Sequence, residues 1–202
     1  MTKLGIPAII QQHCLPYLET DQNRNISFSF GDGYEIFGPG RHWVPVTQGL
    51  WFAGALDDPG IRHLIIGHSA MELIAFLTLH RHLFDDLNRI LLVATGSGLH
   101  SSQLSLIRDS CEGKSCAFIF GKDLFGRIAD LKAAASLRKL PVSISLRSDE
   151  CLTVIFRSRH FVFTQNSFSL NAFERSSGFR FRIHSYKPKS ASSYLHQLER
   201  RA

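Results

Sequence analysis

The sequence has no long apolar run, little cysteine and no leader-like beginning. No stretch approaches the roughly 18 consecutive apolar residues that a membrane-spanning helix needs, so we expect no membrane segment. Residues 1–7 lack the apolar core of a secretory signal peptide. With 202 residues and an apolar content of 44%, the chain suits one domain of ordinary size, which we expect to be cytoplasmic.

The four cysteines do not form a recognisable ligand pattern. Cys14, Cys111, Cys116 and Cys151 include no CxxC spacing and no partnered histidine motif. In a cytosolic protein this usage predicts reduced cysteines with structural roles. Because Cys111 and Cys116 lie five positions apart, a disulfide or a metal site there is the alternative interpretation.

The positive charge is concentrated at one end of the chain. Residues 146–202 hold ten of the 23 Lys and Arg residues but four of the 17 Asp and Glu residues, so the first 145 residues hold thirteen of each sign. The whole net charge of +6 therefore lies in the last quarter. Such an excess is typical of a surface that binds a polyanion or an acidic protein. A merely soluble basic surface gives the same count.

Residues 61–146 alternate short apolar segments with helical patterns. Four strands are predicted at 64–66, 90–94, 117–120 and 142–146, and three helices at 70–84, 101–109 and 124–139. Strand–helix alternation with short connections predicts a parallel sheet with right-handed crossovers. We therefore predict an α/β fold with a sheet of about four mainly parallel strands flanked by helices.

Two flanking regions complete the predicted organisation. Residues 1–60 predict a short helix within 6–18 and a β-hairpin at 26–37. Residues 147–202 predict a basic β-meander with strands at 152–156, 160–164 and 179–184, and then a final helix within 191–201. The chain is thus predicted to divide into 1–60, 61–146 and 147–202, with the last region packed on the α/β core.

Three turns in the α/β region carry a family resemblance. They are His68-Ser69-Ala70-Met71-Glu72-Leu73, Thr95-Gly96-Ser97-Gly98 and Gly121-Lys122-Asp123-Leu124-Phe125-Gly126-Arg127, each after a predicted strand. In this order they resemble the motifs of the Toprim domain, and most of all the Toprim family of primase-like proteins from bacterial plasmids and mobile elements. Gly33-Tyr34-Glu35-Ile36 resembles the hairpin that precedes the domain in such proteins. The resemblance implies a Toprim-like fold over about residues 26–146.

The resemblance fails at the residues that carry the family's chemistry. In active Toprim enzymes a glutamate is the general acid or base, and two aspartates hold Mg²⁺ for phosphoryl chemistry. Here His68 stands at the glutamate position and Gly121 at the first aspartate, and only Asp123 remains. A neutral imidazole suits softer metals than Mg²⁺. The resemblance therefore implies a degenerate site without a cofactor, or with Mg²⁺ or Mn²⁺ on Asp123 if the protein is active.

Each candidate residue at these turns also has a structural interpretation. His68 is expected as a hydrogen-bonded turn residue, Glu72 as a solvated helix residue, and Asp123 as the N-cap of the helix that follows it. Gly96, Ser97 and Gly98 are the candidate phosphate-binding turn. Any tight connection between a strand and a helix needs the same small residues.

The basic C-terminal region supplies the candidate nucleic-acid contacts. Arg157 and Arg159, and likewise Arg180 and Arg182, are two positions apart on predicted strands, so each pair is expected to project from one face. With Lys187 and Lys189 they would form a basic stripe over interleaved phenylalanines. A stripe of this kind is typical of a phosphate-backbone contact, and an ordinary sheet with one wet face gives the same pattern.

Three functions remain open on this basis. The first is a catalytically degenerate Toprim-like protein that binds DNA, RNA or a protein partner in the maintenance or transfer of a mobile element. The second is a metal-dependent nuclease or primase-like enzyme, in which His68, Glu72 and Asp123 converge to bind Mn²⁺ or Zn²⁺. The third is a protein-interaction module that does not bind nucleic acid.

Overall fold

The computed structural model describes residues 1–55, 58–147 and 150–201. The helices in this part of the chain are α1 (Ala8–Cys14), α2 (Ala70–Leu79), α3 (Ser101–Ser110), α4 (Leu124–Leu137), α5 (Leu170–Ser177) and α6 (Tyr194–Glu199). The strands are β1 (Glu19–Thr20), β2 (Ile26–Ser29), β3 (Tyr34–Gly38), β4 (Arg41–Trp43), β5 (Trp51–Ala53), β6 (His63–Gly67), β7 (Ile90–Ala94), β8 (Ser115–Phe118), β9 (Val142–Leu146), β10 (Cys151–Phe156), β11 (Arg159–Thr164) and β12 (His184–Ser185).

A five-stranded, mostly parallel sheet forms the centre of the fold. Its strand order is β12-β8-β6-β7-β5, and only the edge strand β5 runs antiparallel to its neighbour. Strands β6 and β7 are continuous apolar runs, and every residue of β7 is buried. Central parallel strands have this composition because helices cover both faces of the sheet. The predicted α/β class with a mainly parallel sheet flanked by helices is confirmed.

The prediction that 142–146 is the fourth strand of this sheet is wrong. Strand β9 instead belongs to a separate antiparallel sheet with the order β11-β10-β9. Its apolar residues alternate with Ser143 and Ser145, and the strand is mostly exposed. Such a strand suits a half-solvated antiparallel sheet rather than the interior of a parallel one. Two short flanking strands, β5 and β12, occupy the edges of the central sheet instead.

The C-terminal region departs from the predicted meander after β11. Helix α5 was not predicted, although Ser169 caps its first turn and Gly178 ends it with a φ of 73°. The predicted strand at 179–184 is wrong, because only His184 and Ser185 pair with β8. Arg182 has a φ of 58°, which breaks extended backbone at that point.

Two hydrophobic cores lie on the opposite faces of the central sheet. Leu64 and Ile66 of β6 point into one core, while Ile65 between them points into the other, as the two-residue period of a strand requires. Helices α1, α2 and α6 and the predicted N-terminal hairpin (β2 and β3) cover the Ile65 face. Helices α3, α4 and α5 and the β9–β11 sheet cover the other face. No helix in the described part of the chain is long and apolar enough to span a membrane.

Candidate functional site

A cavity of about 300 Å³ lies at the carboxyl ends of the parallel strands. The turns after β6, β7 and β8 meet there and contribute His68, residues 95–99, and Phe120, Gly121 and Asp123 to its lining. Parallel strands bring their following turns to one edge of the sheet, which is where α/β proteins usually bind ligands. All three turns that carry the family resemblance therefore reach the same cavity.

Two of the three predicted catalytic residues line this cavity. Asp123 is the N-cap of α4, and its Oδ1 accepts a hydrogen bond of 2.7 Å from the backbone N–H of Gly126. Its predicted role as a helix cap is thus confirmed. His68 is half-buried and has no hydrogen-bond partner among the described residues. The expected hydrogen bond of His68 in the turn is therefore not formed, and its imidazole faces the cavity.

The third predicted catalytic residue, Glu72, is engaged elsewhere. Its side chain is buried, and Oε2 accepts hydrogen bonds from the backbone N–H groups of Tyr194 at 2.8 Å and Leu195 at 3.3 Å. Glu72 therefore caps the first turn of α6 and is neither a solvated residue nor a lining residue of the cavity. Across the described ranges, no three His, Cys, Asp or Glu side chains are placed to hold a metal ion. The structure does not bring His68, Glu72 and Asp123 together.

The predicted phosphate-binding turn makes internal hydrogen bonds. The backbone N–H and the hydroxyl of Ser97 both donate to the carbonyl oxygen of Pro45, at 2.8 and 3.1 Å. Gly96 has a φ of 76°, and a Cβ there would collide with Pro45 and Thr47. The glycine is thus required by the turn and by the close approach of residues 45–47. In this conformation Ser97 has no free amide for a phosphate.

Sequence reasoning missed a carboxylate that accepts four hydrogen bonds, that of Glu35. This side chain from β3 is fully buried at the N-terminus of α2. It accepts hydrogen bonds from the Ser69 hydroxyl (2.7 Å), the Ala70 and Met71 backbone N–H groups (2.7 and 3.1 Å) and His42 Nε2 (2.9 Å). Glu35 thus joins the N-terminal hairpin to the turn that carries His68. The signal was its register, since Glu35 pairs with the buried Phe28 and so lies on the same face.

Glu35 also sets the charge state of its neighbour His42. Burial on its own would lower the pKa of His42, but the hydrogen bond and the negative charge of Glu35 outweigh it and leave this pKa raised. A protonated imidazole beside a buried carboxylate is the favourable combination. The pair therefore forms an ion pair with a separation of 2.9 Å between Nε2 and Oε1.

Lys187 forms a second buried ion pair behind the cavity. Its Nζ lies 2.7 Å from Oδ2 of Asp130 on α4, and it donates to the carbonyl oxygens of Phe120 and Gly121 at 2.8 and 3.0 Å. Burial raises the pKa of Asp130 and lowers that of Lys187, although each charge partly offsets the effect on its partner. Lys187 fixes the C-terminal segment to the end of β8. It is not an exposed nucleic-acid contact, contrary to the sequence prediction.

A longer groove continues from the strand-end cavity between helices α3 and α4. A second cavity of about 500 Å³ shares Leu99 and Lys132 with the first. A third, of about 530 Å³, shares Arg108 and Lys139 with the second. Because neighbouring cavities have lining residues in common, they lie next to one another in a row from the strand ends to the turn before β8. We call this row of cavities the α3–α4 groove.

The charged side chains that line the α3–α4 groove are mainly cations. They are Lys132, Arg108, Lys139, Arg138, Lys114 and Arg182, in addition to His184. Asp123 lies at one end of the groove, and Asp109 and Glu112 lie at the other. Arg108 is within 3.3 Å of Asp109, whereas Lys132, Lys139 and Arg138 form no ion pair with a carboxylate of the described residues. The groove therefore presents uncompensated positive charge, which attracts polyanions.

The overall charge count concealed this groove. Lys132 lies on α4, whereas Lys139 lies beyond the end of that helix with a φ of 55°, so helical spacing does not relate the two. Their charges are balanced by acidic residues on other surfaces, which is why the first 145 residues appear neutral in the sequence. Neither their common cavity nor the partner helix α3 was identifiable from the sequence.

The predicted arginine stripe is divided in the structure. The guanidinium groups of Arg157 and Arg159 lie over the rings of Phe179 and Phe161, with distances of 4.7 and 5.2 Å to the ring centroids. Arg180 pairs with Glu174 at 3.3 Å. Arg182 lines the end of the α3–α4 groove, and Lys189 is exposed. The four arginines therefore do not project from two regular strands.

Comparison with solved structures gives a weak likeness, whereas the sequence comparisons give no match. No protein-family model matches the chain, and no curated protein sequence matches it. The chain is similar to a chain in the structure of bacteriophage T7 lagging-strand DNA polymerase interacting with primase domains of two gp4 subunits bound to an RNA/DNA hybrid and dTTP. The two share 14% sequence identity, with 68% of this chain and 73% of that chain covered and a TM-score of 0.42. The functional proposal therefore depends on the geometry of the site.

Proposed function

We propose that this protein binds single-stranded nucleic acid along the α3–α4 groove, on a Toprim-like scaffold that does not use metal chemistry at its strand ends. The observation that carries the proposal is the row of neighbouring cavities itself, which leads from the strand-end cavity to a set of cations. A positively charged groove that follows the phosphate backbone is the usual basis of binding to single strands without sequence preference. Maintenance or transfer of a mobile element is the biological role that we propose for it.

The strand-end cavity supplies a second feature that single-strand binding needs. Phe125, the second residue of α4, lines this cavity and is 80% exposed. An exposed aromatic ring beside a basic groove is suited to stacking with a base. Lys132 lines the same cavity and is exposed, so a phosphate next to the stacked base would meet a cation. The combination favours a nucleic acid over an acidic protein.

The residues at the strand ends are poorly suited to Mg²⁺. Mg²⁺ prefers several hard oxygen ligands in octahedral order, and Asp123 is the single carboxylate among the described residues that line this cavity. One of its two oxygens, Oδ1, already accepts the N–H of Gly126. His68 offers one nitrogen, which suits softer metals. These residues do not fit a Mg²⁺ site, so we propose binding without metal-dependent turnover.

Salt-dependent binding to single-stranded oligonucleotides tests the proposal. Fluorescence anisotropy would be measured at several salt concentrations for the wild type and for a triple variant, Lys132→Gln, Arg108→Gln and Lys139→Gln. Each lost phosphate contact lowers the logarithmic salt slope by about 0.7 for a single strand, so the triple variant should lose about 2 units. The weakening should be the same for all sequences, because these contacts would be to the backbone.

A matched control removes the same charge elsewhere. Arg24, Arg41 and Arg62 are exposed and do not line the groove, so their replacement by glutamine should leave the slope nearly unchanged. Equal losses in the two triple variants would show that net charge alone acts, and the groove would be rejected. No measurable binding of wild type to DNA or RNA would reject the nucleic-acid function itself.

A second candidate function is a metal-dependent nuclease or primase-like enzyme. The observation that favours it is that His68 and Asp123 line the same cavity, where a softer ion such as Mn²⁺ or Zn²⁺ would meet one nitrogen and one carboxylate. Turnover of an oligonucleotide with Mn²⁺ that is lost in both His68→Ala and Asp123→Asn would establish this alternative. Turnover that persists in both variants would identify a contaminating nuclease.

A further inference from the structure

Two cysteines meet at the end of the α3–α4 groove that is far from the strand-end cavity. Cys111 directly follows α3, and Cys116 is the second residue of β8. Their Sγ atoms lie 2.9 Å apart, although both residues are in the thiol form. This separation is short for two sulfur atoms that are not bonded. The turn between them, with Gly113 at a φ of 72°, holds the two side chains on the same side.

The surroundings favour a reactive thiolate at Cys116. Both cysteines are half-buried and line the cavity of about 530 Å³, so a small molecule can reach them. The hydrogen bond with Cys111 lowers the pKa of Cys116; burial opposes this, and the nearby positive charges of Arg138 and Lys114 reinforce it. Thiolates beside lysine and arginine side chains are the reactive form of cysteine. Cys14, by contrast, is buried in the opposite core, which raises its pKa to about 12.

We propose that Cys111 and Cys116 form an oxidisable dithiol site, which hydrogen peroxide converts into an intramolecular disulfide. The Cys116 thiolate attacks one peroxide oxygen, the O–O bond breaks, and the leaving hydroxide takes up a proton as water. Cys116 is then a sulfenic acid. The Cys111 sulfur attacks the Cys116 sulfur, the S–O bond breaks, and the hydroxide leaves as a second water with the Cys111 proton. The two sulfurs together lose two electrons, which reduce one peroxide.

The site is suited to a disulfide and not to a metal. Two thiolates alone are too few for a structural zinc site, which takes four ligands. No third Cys, His, Asp or Glu in the described residues completes a metal-binding group with them. The juxtaposition of the sulfurs instead means that the disulfide requires little movement of the turn. The oxidation of Cys111 and Cys116 is detected by labelling the thiols, so its test does not depend on nucleic-acid binding.

Thiol counting after peroxide treatment tests the proposal on the full chain. The reduced protein, denatured and treated with iodoacetamide, should take up four labels, and the peroxide-treated protein two. Peptide mapping should place the lost labels at Cys111 and Cys116. Closing a loop this short should raise the melting temperature by about 4 to 9 °C, and dithiothreitol should reverse the rise. Retention of all four labels, or a bond between two chains, would overturn the proposal.

Two single substitutions test the order of the steps. Cys111→Ser should leave Cys116 as a sulfenic acid that dimedone traps, whereas Cys116→Ser should show little trapping. Cys151→Ser is the matched control, and it should still lose two labels on oxidation. Equal dimedone labelling in the two variants, or none in either, would contradict the assignment of Cys116 as the attacking thiolate. Because the wild-type measurement needs no variant, a folding defect in a variant cannot conceal the outcome.

Discussion

Replacing Glu35 by glutamine is the sharpest test of how the N-terminal hairpin is joined to the α/β core. The carboxylate is fully buried and accepts four hydrogen bonds, two of them from the first backbone N–H groups of α2. Glutamine has nearly the same volume, so the substitution changes charge and hydrogen bonding with little change in packing. It keeps one acceptor oxygen and adds an amide group that donates.

The expected destabilisation follows from these contacts. At least one donor at the start of α2 loses its acceptor, and an unsatisfied buried group costs about 1 to 3 kcal/mol. Removal of the negative charge from the helix N-terminus costs a further 0.5 to 2 kcal/mol, approximately. Allowing for overlap of the two effects, we expect the free energy of unfolding to fall by about 2 to 4 kcal/mol.

Urea unfolding followed by tryptophan fluorescence measures this change. Trp51 is a suitable reporter because it is buried and its ring lies 5.4 Å from that of Phe28, which pairs with Glu35 across the hairpin. Glu19→Gln is the matched control in the same sheet. Glu19 is exposed, so this change should alter stability by less than about 0.5 kcal/mol. If Glu35→Gln unfolded at the wild-type urea concentration, the buried cap would not contribute to stability and the reasoning would be refuted.

Three further predictions concern the charges and the cavity. The pKa of His42 in the folded protein is raised above its ordinary value of 6.5. Its contribution to the free energy of unfolding is therefore complete below about pH 6.5 and is lost as the pH rises through the pKa of the folded state. His42→Asn should therefore reduce the fall in stability between about pH 5.5 and about pH 8.5, and an unchanged fall would contradict the assignment. Lys187→Met leaves the buried Asp130 carboxyl without its cation and should cost about 3 to 5 kcal/mol in urea unfolding, with partial recovery when Asp130 is replaced by leucine as well. Phe125→Ala should leave the melting temperature unchanged and weaken single-strand binding by about 1 to 3 kcal/mol in anisotropy titrations; a loss of stability without a loss of affinity would assign the ring to packing.

The sequence alone determined the local structure of the α/β core. Strands β6 and β7 were predictable because continuous apolar runs bounded by polar turns leave few alternatives. The cap at Asp123 was predictable as well, since a short acceptor side chain before an apolar helical pattern satisfies the first amides of that helix. The common position of the three turns followed from the parallel arrangement. The strands and the cap depend on neighbours within a few residues, and the position of the turns depends only on the alternation of strands and helices.

The tertiary structure alone decided the partners of the polar groups. Glu35 caps a helix 35 residues later, and Glu72 caps one 122 residues later. A carboxylate is satisfied equally well by water, a lysine or a helix N-terminus, so its sequence position does not select among them. Strand β9 likewise pairs with β10 in the antiparallel sheet and not with the central sheet, and its distant pairing partner was not visible from its own residues. The α3–α4 groove arose from cations on two separate elements, and only the packing of those helices placed them side by side.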